Sequence, residues 1–478
     1  MKVLLVNPSL ALAQIGHYDS QVEKARGIHP SLGLLYIAAI VEREGHSVRV
    51  IDTDLESDPE ATLRKTIRAF QPDLMGVHVM TWTFAQAKRT ACVAKEERPE
   101  MVLVAGGAGV TTDPQVFMEN SDFDFAVYGE GEITTKELLE AIQAKGDVRQ
   151  ITGLVFRDGE TIVQNPPREL IENIDEVPMP GRHLVPHDRY FDVFTIDRHF
   201  VTMIVSRGCP FNCLYCDRLN RMGSKWRVRS VDAILQEIMY VKERMGVREI
   251  MFFDDEFVVN RNHTIDLCKR LIEAKANIKW ECRARVDLLD EETLKYMKEA
   301  GCYRIRYGFE SGDNDILAVL RKGITVEQSL KTAEATKRAG IDIFGYFMLG
   351  VPHETEHTMQ KTIDLALKID PDFALFSKAI LIPGSDLFDW AASEGLIAAD
   401  YWKQYYRGEV SDTAPAISAS QLPENLVDQY VKKANQMFYR RPRYMARRLM
   451  RIKSLSQLAR QVRMAYCLLG AKAGAKHD

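Results

Sequence analysis

The sequence predicts an α/β protein built from two strand–helix arrays in series. The first is a doubly wound, Rossmann-like sheet over residues 1–150, and the second a partial (β/α)6 barrel over residues 199–392. Three observations carry this expectation. Short apolar runs alternate with amphipathic helical patterns before residue 150 and again after residue 199, as parallel strands covered on both faces require. A stretch containing Pro166, Pro167, Pro178, Pro180 and Pro186 separates the arrays and reads as a linker. Gly, Asn and Pro gather where the first array's runs end, the edge at which ligands bind in such folds.

In the first array residues 3–6, 48–51, 74–79, 101–105 and 125–128 are predicted strands, and 32–44, 59–71, 83–97, 114–119 and 132–145 predicted helices. The strand ends carry Asn7-Pro8, Val79-Met80-Thr81, Gly106-Gly107 and Gly129-Glu130-Gly131-Glu132. Residues 153–164 read as a hairpin turning at Asp158-Gly159, so 151–198 is expected to be hairpin and linker. In the second array strands are predicted at 200–206, 249–253, 279–283, 303–308, 342–349 and 373–381, with helices near 231–245, 261–275, 290–300, 325–339 and 355–369. Six such units do not close an eightfold barrel, hence the partial one. Residues 393–478 are expected to be a helical C-terminal region. Within it, 445–469 places Met445, Leu449, Ile452, Leu455, Leu458, Val462, Tyr466 and Leu469 on one face, with Arg447, Arg448, Arg451, Arg460 and Arg463 between them: a basic amphipathic helix.

Composition narrows the function. The chain has 478 residues, 46% hydrophobic and 27% charged, with a net charge of −4, ordinary values for a globular protein. Residues 439–478 hold eleven Lys and Arg against one acid, a net of +10, which leaves the rest at −14. An acidic body argues against a nucleic-acid binder. The longest apolar run, residues 34–41, is far below the ~20 residues of a membrane span, and no signal-peptide pattern opens the chain, so a cytoplasmic location is expected. The basic helix is expected either to pack on the acidic body or to make peripheral contact with an anionic membrane.

Eight cysteines are too few for a disulfide scaffold. Three of them, Cys209, Cys213 and Cys216, share one loop after the first barrel strand, in Arg207-Gly208-Cys209-Pro210-Phe211-Asn212-Cys213-Leu214-Tyr215-Cys216. Three thiolates at this spacing can hold three corners of an iron–sulfur cube and leave the fourth iron open to another ligand. A structural zinc site needs four ligands, and the nearest further candidates, His199 and His263, lie outside the loop. Cys92, Cys268, Cys282, Cys302 and Cys467 lack metal-ligand spacing and are expected to be free thiols in helices or strands.

The CxxxCxxC motif with Tyr215 before its last cysteine resembles the signature of the radical S-adenosylmethionine (SAM) superfamily. The resemblance runs over residues 199–390 and takes in Ile250-Met251-Phe252-Phe253-Asp254-Asp255-Glu256-Phe257, Arg283-Ala284-Arg285-Val286-Asp287, Gly308-Phe309-Glu310-Ser311-Gly312, residues 345–354 and Leu381-Ile382-Pro383-Gly384-Ser385. It implies a 4Fe-4S cluster on the three cysteines, SAM on the open iron, and reductive cleavage of SAM to a 5′-deoxyadenosyl radical. Tyr215, Arg285, Glu310 and Ser311 are then expected to contact SAM: Glu310 and Ser311 at its ammonium or ribose, Arg285 at its carboxylate. Arg285 is equally suited to an ion pair with Asp287 or Glu310, and Asp254 and Asp255 to capping the loop or lining the substrate pocket.

The preceding domain resembles the cobalamin-binding branch of that superfamily, at Pro30-Ser31-Leu32-Gly33-Leu34, Gly45-His46-Ser47-Val48, Gln71-Pro72-Asp73, Gly106-Gly107 and Gly129-Glu130-Gly131-Glu132. The resemblance implies bound cobalamin, with Gly106, Gly107, Gly129 and Glu130 expected at the cofactor. The DxHxxG motif that gives cobalt a lower histidine ligand in other corrinoid proteins is absent, as is usual in this branch. Among the histidines, His46 is expected to pack at a helix–strand turn, while His17 and His29 are candidates to face the cofactor or substrate. The reading is an enzyme that functionalises an unactivated carbon of a small hydrophobic metabolite, a lipid or tetrapyrrole among the candidates, by cobalamin-dependent C-methylation. A flavodoxin- or ferredoxin-type donor would supply the electron. The alternatives are a cyclase resembling the anaerobic magnesium-protoporphyrin monomethyl ester cyclase, a tRNA methylthiotransferase, and a non-catalytic corrinoid or iron–sulfur sensor.

Overall fold

A computed structural model describes residues 1–9, 27–217, 223–410 and 422–450. The N-terminal sheet sets its parallel strands in the spatial order Ser47–Asp52, Lys2–Asn7, Leu74–His78, Val102–Gly106, Phe125–Val127. Chain order reverses between the first strand and the third, which opens a crevice beyond their carboxyl ends. Alternate residues serve opposite layers. Val3 and Leu5 pack with Leu34, Ala38 and Leu138, while Leu4 and Val6 pack with Leu63, Ile67, Ala87 and Ala91. The sheet is therefore doubly wound. The expected hairpin is present as Leu154–Asp158 and Thr161–Gln164, but it extends this sheet antiparallel to Phe125–Val127. A boundary at residue 150 thus leaves out two strands of the sheet. The cause is long-range edge pairing, which a local turn signal does not reveal.

The proline-rich segment is a strap held at both ends, not a loose linker. Arg182 is 2% exposed and donates to Glu237 Oε1 at 2.6 Å and to the Thr202 carbonyl at 2.9 Å. Tyr190 donates to Asp52 Oδ2 at 3.0 Å. Phe194 packs edge-on to Phe344 and Phe373, with centroids 5.1 and 5.0 Å away, near the starts of the last two barrel strands.

The second sheet runs Phe200–Met203, Glu249–Phe252, Lys279–Ala284, Cys302–Glu310, Asp342–Leu349, Phe373–Lys378, all parallel and in chain order, the expected partial barrel of six strands. Outward residues such as Ile250, Trp280, Cys282, Ile305 and Tyr307 form the core with the surrounding helices. The alternate positions carry charge. Glu281 pairs with Arg304 at 3.0 Å and Arg306 at 2.5 Å. Glu249, fully buried, accepts from the Tyr303 hydroxyl and from the amides of Ile196 and Asp197.

Burial raises the Glu249 carboxyl to about 7 despite those donors. A raised carboxyl binds more protons folded than unfolded, so its contribution to stability is fullest below its ordinary 4.5 and is lost as pH rises through about 7. Thermal unfolding from pH 4.5 to pH 8 should therefore depend less steeply on pH in Glu249→Gln than in the parent chain.

Helices Glu424–Tyr439 and Pro442–Met450 finish the described chain. The Tyr439 hydroxyl donates to the Ala374 carbonyl at 2.6 Å and accepts from its amide at 3.2 Å, covering the free edge of the last strand. Arg441 and Arg447 both pair with Asp370, at 2.7 and 2.5 Å. The start of the basic segment thus packs on the acidic body; its continuation after Met450, with Cys467, lies outside the described residues. No helix among the described residues is long and apolar enough to cross a membrane.

Candidate active site

The loop that bears the cysteines leaves the first barrel strand through a two-residue clamp, Ser206–Arg207 against Arg227–Val228. Asp254, at the exit of the second strand, accepts from the amides of Val205 and Ser206 and from the Ser206 hydroxyl at 2.5–3.0 Å. It caps the base of the loop, one of its two expected roles. Gly208 has φ +83, and a Cβ there would stand 2.3 Å from the Lys225 carbonyl. Only glycine lets the chain turn into Cys209 at this point.

Cys209, Cys213 and Cys216 are in no disulfide and partly exposed, whereas Cys268, Cys282 and Cys302 are in no disulfide and buried. Burial, with Glu256 and Asp255 nearby, pushes the Cys209 thiol up to about 11. Without metal it carries its proton, and metal binding must displace it. No three His, Cys, Asp or Glu side chains among the described residues converge as a single-ion cage does. The donor set is what fits an iron–sulfur cluster: three soft thiols on one accessible loop.

Beside the loop stands a buried triangle. Tyr215 donates to Glu310 Oε1 at 2.8 Å; Lys322 Nζ lies 2.9 Å from the same oxygen and 3.1 Å from the Tyr215 hydroxyl. Glu310 adopts φ +62, an uncommon conformation for a residue with a side chain. A Cβ on Gly308 would meet Glu310 Oε1 at 2.2 Å and Lys322 Nζ at 2.8 Å, so that glycine makes room for the pair. Arg285 is held by both Asp287 oxygens at 3.0 Å, lies 3.8 Å over the Phe211 ring and places Nη1 3.8 Å from Cys213 Sγ. The ion pair with Asp287 and the position at the cysteine loop thus coexist.

Ser311 does not join this group. It is fully buried, with its hydroxyl 3.2 Å from Thr362 Oγ1 and accepting from the Asp313 amide. Its hydroxyl is used by the turn, which leaves the expected SAM contact without support. Lys322 escaped the sequence reading because it lies on no motif; only the fold brings it to Glu310.

Arg207, two residues before Cys209, grips the other domain. It donates to Glu130 Oε1 at 2.9 Å and Glu132 Oε1 at 2.5 Å, while Arg227 reaches Glu130 Oε2 at 2.8 Å and the Ile171 amide donates to the same oxygen at 2.7 Å. Burial alone would raise Glu130, but the two arginines hold it below the usual carboxylate range. Glu130, expected at the cobalamin, is instead an interdomain clasp, because both its oxygens already have partners. Apolar packing follows the same path: Leu214 shares one cluster with Val79, Val110 and Leu320, and the Tyr406 hydroxyl donates to the Gly109 carbonyl at 2.9 Å.

The glycine ends of the first sheet therefore lie on the side of the cysteine loop. Gly107 has φ +119, and Gly129, at φ +78, has open space where a Cβ would stand. His46 is buried at its turn and hydrogen-bonded to the N-terminal amine at 3.2 Å. His29 pairs with Asp192 at 2.9 Å beside Phe253, a residue of the second-strand exit. His17 lies outside the described residues.

Comparison with known proteins agrees with this arrangement. The family model of the radical SAM superfamily matches residues 203–366 and that of the B12 binding domain residues 20–139. An uncharacterized methyltransferase of Pyrococcus horikoshii is 33% identical over 445 residues, 93% of each chain. The anaerobic magnesium-protoporphyrin IX monomethyl ester cyclase of Rubrivivax gelatinosus is 28% identical over 397 residues, 81% of this chain and 69% of the relative. Among solved structures, the radical SAM methyltransferase TsrM of Kitasatospora setae, with cobalamin and a [4Fe-4S] cluster bound, superposes with a TM-score of 0.68 at 20% identity. That match covers 82% of this chain and 75% of TsrM.

Proposed function

Because this chain belongs to the radical SAM superfamily, in the methyltransferase branch that carries an N-terminal B12-binding domain, we propose that it methylates an unactivated carbon of a small, largely hydrophobic metabolite. The observation that carries the proposal is the shared mouth of the two domains. Arg207 beside the cysteine loop is locked to Glu130 and Glu132 at the carboxyl edge of the first sheet, so groups held at the two edges would face one another. When bound, the cluster supplies the electron that cleaves SAM, and the corrinoid carries the methyl group.

The chain's own residues do the positioning. Cys209, Cys213 and Cys216 would hold three irons. Tyr215, Glu310 and Lys322 form the polar wall beside them, and Arg285, fixed by Asp287, offers a guanidinium edge to a carboxylate. Gly129, with open space where a Cβ would stand, leaves backbone bare for the flat face of a macrocycle, whereas Gly106 faces Val127 and Gly107 the Val79 carbonyl, so their expected contacts with cobalamin are without support. A flavodoxin- or ferredoxin-type protein is the electron donor this scheme needs.

Lys322→Met removes the ammonium that Glu310 leans on. Equilibrium dialysis of the anaerobic variant should find SAM held about tenfold more weakly, ~1.4 kcal/mol, with the cluster's visible absorbance retained. The methylation itself is tested with SAM carrying a deuterated methyl group and extracts of candidate metabolites. The proposal expects a product heavier by one labelled methyl. A product with inserted oxygen or lost hydrogen and no label would support the cyclase reading and contradict this one.

A further inference from the structure

Helix Pro442–Met450 presents its two faces in the reverse of the usual order. Its basic and aromatic side chains are turned to the body. The Tyr444 hydroxyl donates to the Asp372 carbonyl at 2.9 Å, Arg447 pairs with Asp370 at 2.5 Å, and the Arg448 guanidinium lies 4.1 Å over the Phe373 ring. Spacings of three and four put these positions on one side of the helix. The opposite side carries Met445, Ala446, Leu449 and Met450, all exposed. Met445 is 53%, Leu449 61% and Met450 80% exposed, more than any other large apolar side chain among the described residues. A surface helix ordinarily buries its apolar face. Here the partners of the basic side hold that face outward.

Charge decides what fits over it. Residues 439–478 carry a net of +10, while the rest of the chain stands at −14. Arg440 and Arg443, at the start of the helix, are exposed, and Asp370 is already shared by Arg441 and Arg447. A second copy of this helix would bring the same positive charge against it, which opposes self-pairing. A negatively charged bilayer answers both features: acyl chains receive the apolar side chains and headgroup phosphates the arginines. The same field repels the acidic body, and so turns this helix toward the lipid in preference to other faces.

We infer that this helix docks the protein on an anionic lipid surface, with Met445, Leu449 and Met450 at the acyl chains and Arg440 and Arg443 at the headgroups. The helix stands at the amino end of the last barrel strand, where Asp370 and Asp372 precede Phe373. The cysteine loop follows the carboxyl end of the first strand, Phe200–Met203. Docking therefore leaves the mouth of the barrel clear: it holds the protein at the membrane and takes no part in the cleavage of SAM.

The test is co-sedimentation of the full chain with vesicles. Phosphatidylglycerol and phosphatidylcholine in equal parts should bind the chain about tenfold more tightly than phosphatidylcholine alone. Met445→Ser, Leu449→Ser and Met450→Ser combined remove the apolar face and change no charge. This variant should bind the mixed vesicles about tenfold more weakly, while it keeps the parent's unfolding midpoint and 5′-deoxyadenosine yield. Arg440→Gln with Arg443→Gln should also weaken binding, as should added salt. A parent chain that does not sediment with the mixed vesicles overturns the inference, as does a serine variant that sediments like the parent. A parent that runs as a dimer and becomes monomeric on serine substitution overturns it too, because a second copy then covers the face.

Discussion

Replacing Cys209, Cys213 and Cys216 together by alanine should end 5′-deoxyadenosine formation, a loss of at least about 10⁴-fold, since enzymatic accelerations start near 10⁶. The same variant should stay folded. The three thiols are partly exposed on a loop, and the supports of that loop, Asp254 and the clamp with Arg227–Val228, do not involve their sulfurs. Far-UV circular dichroism and the unfolding midpoint are therefore expected to match the parent chain's apo form. Alanine at the buried Cys268, Cys282 and Cys302, which line the barrel core, should do the reverse: stability falls while iron is still bound. Iron content and 5′-deoxyadenosine, measured anaerobically on both sets, separate the two roles.

The second large effect is expected at the interdomain clasp. Arg207→Ala leaves Glu132 without its buried cation and Glu130 with only one, although both carboxylates are 7% exposed. Removing one partner of a buried pair costs about 3–5 kcal/mol, and urea unfolding should register that loss. Arg207→Lys should restore little of it, because an ammonium cannot reach two carboxylates with the guanidinium's planar fork. Salt should change the parent's stability only slightly, since a buried pair is weakly screened. Beyond the stability loss, the variant should couple cluster and corrinoid poorly: SAM cleavage persists while methyl transfer falls.

Much of this was legible in the sequence. The apolar run that begins at Leu74, the helix signals at 231–245 and the CxxxCxxC spacing each declare themselves locally, and the strands and helices fall within a few residues of expectation. What stayed hidden depends on juxtaposition. Arg207 meets Glu130 across 77 residues, and Lys322 meets the Tyr215 hydroxyl across 107. No window on the chain contains both partners. The same holds for Glu130: a glutamate in a glycine-rich strand end reads as a ligand contact until Arg207 and Arg227 are brought to it. The hairpin's own turn was plain, yet the edge it would pair with was not.

The account stands on three thiols that share a cube and leave one iron free for SAM. The most direct measurement is Mössbauer spectroscopy of the anaerobically reconstituted chain before and after SAM is added. The account predicts about four irons per chain, with one iron site alone shifting when SAM arrives. A spectrum indifferent to SAM, or a single tetrahedral ion in place of the cube, would contradict it.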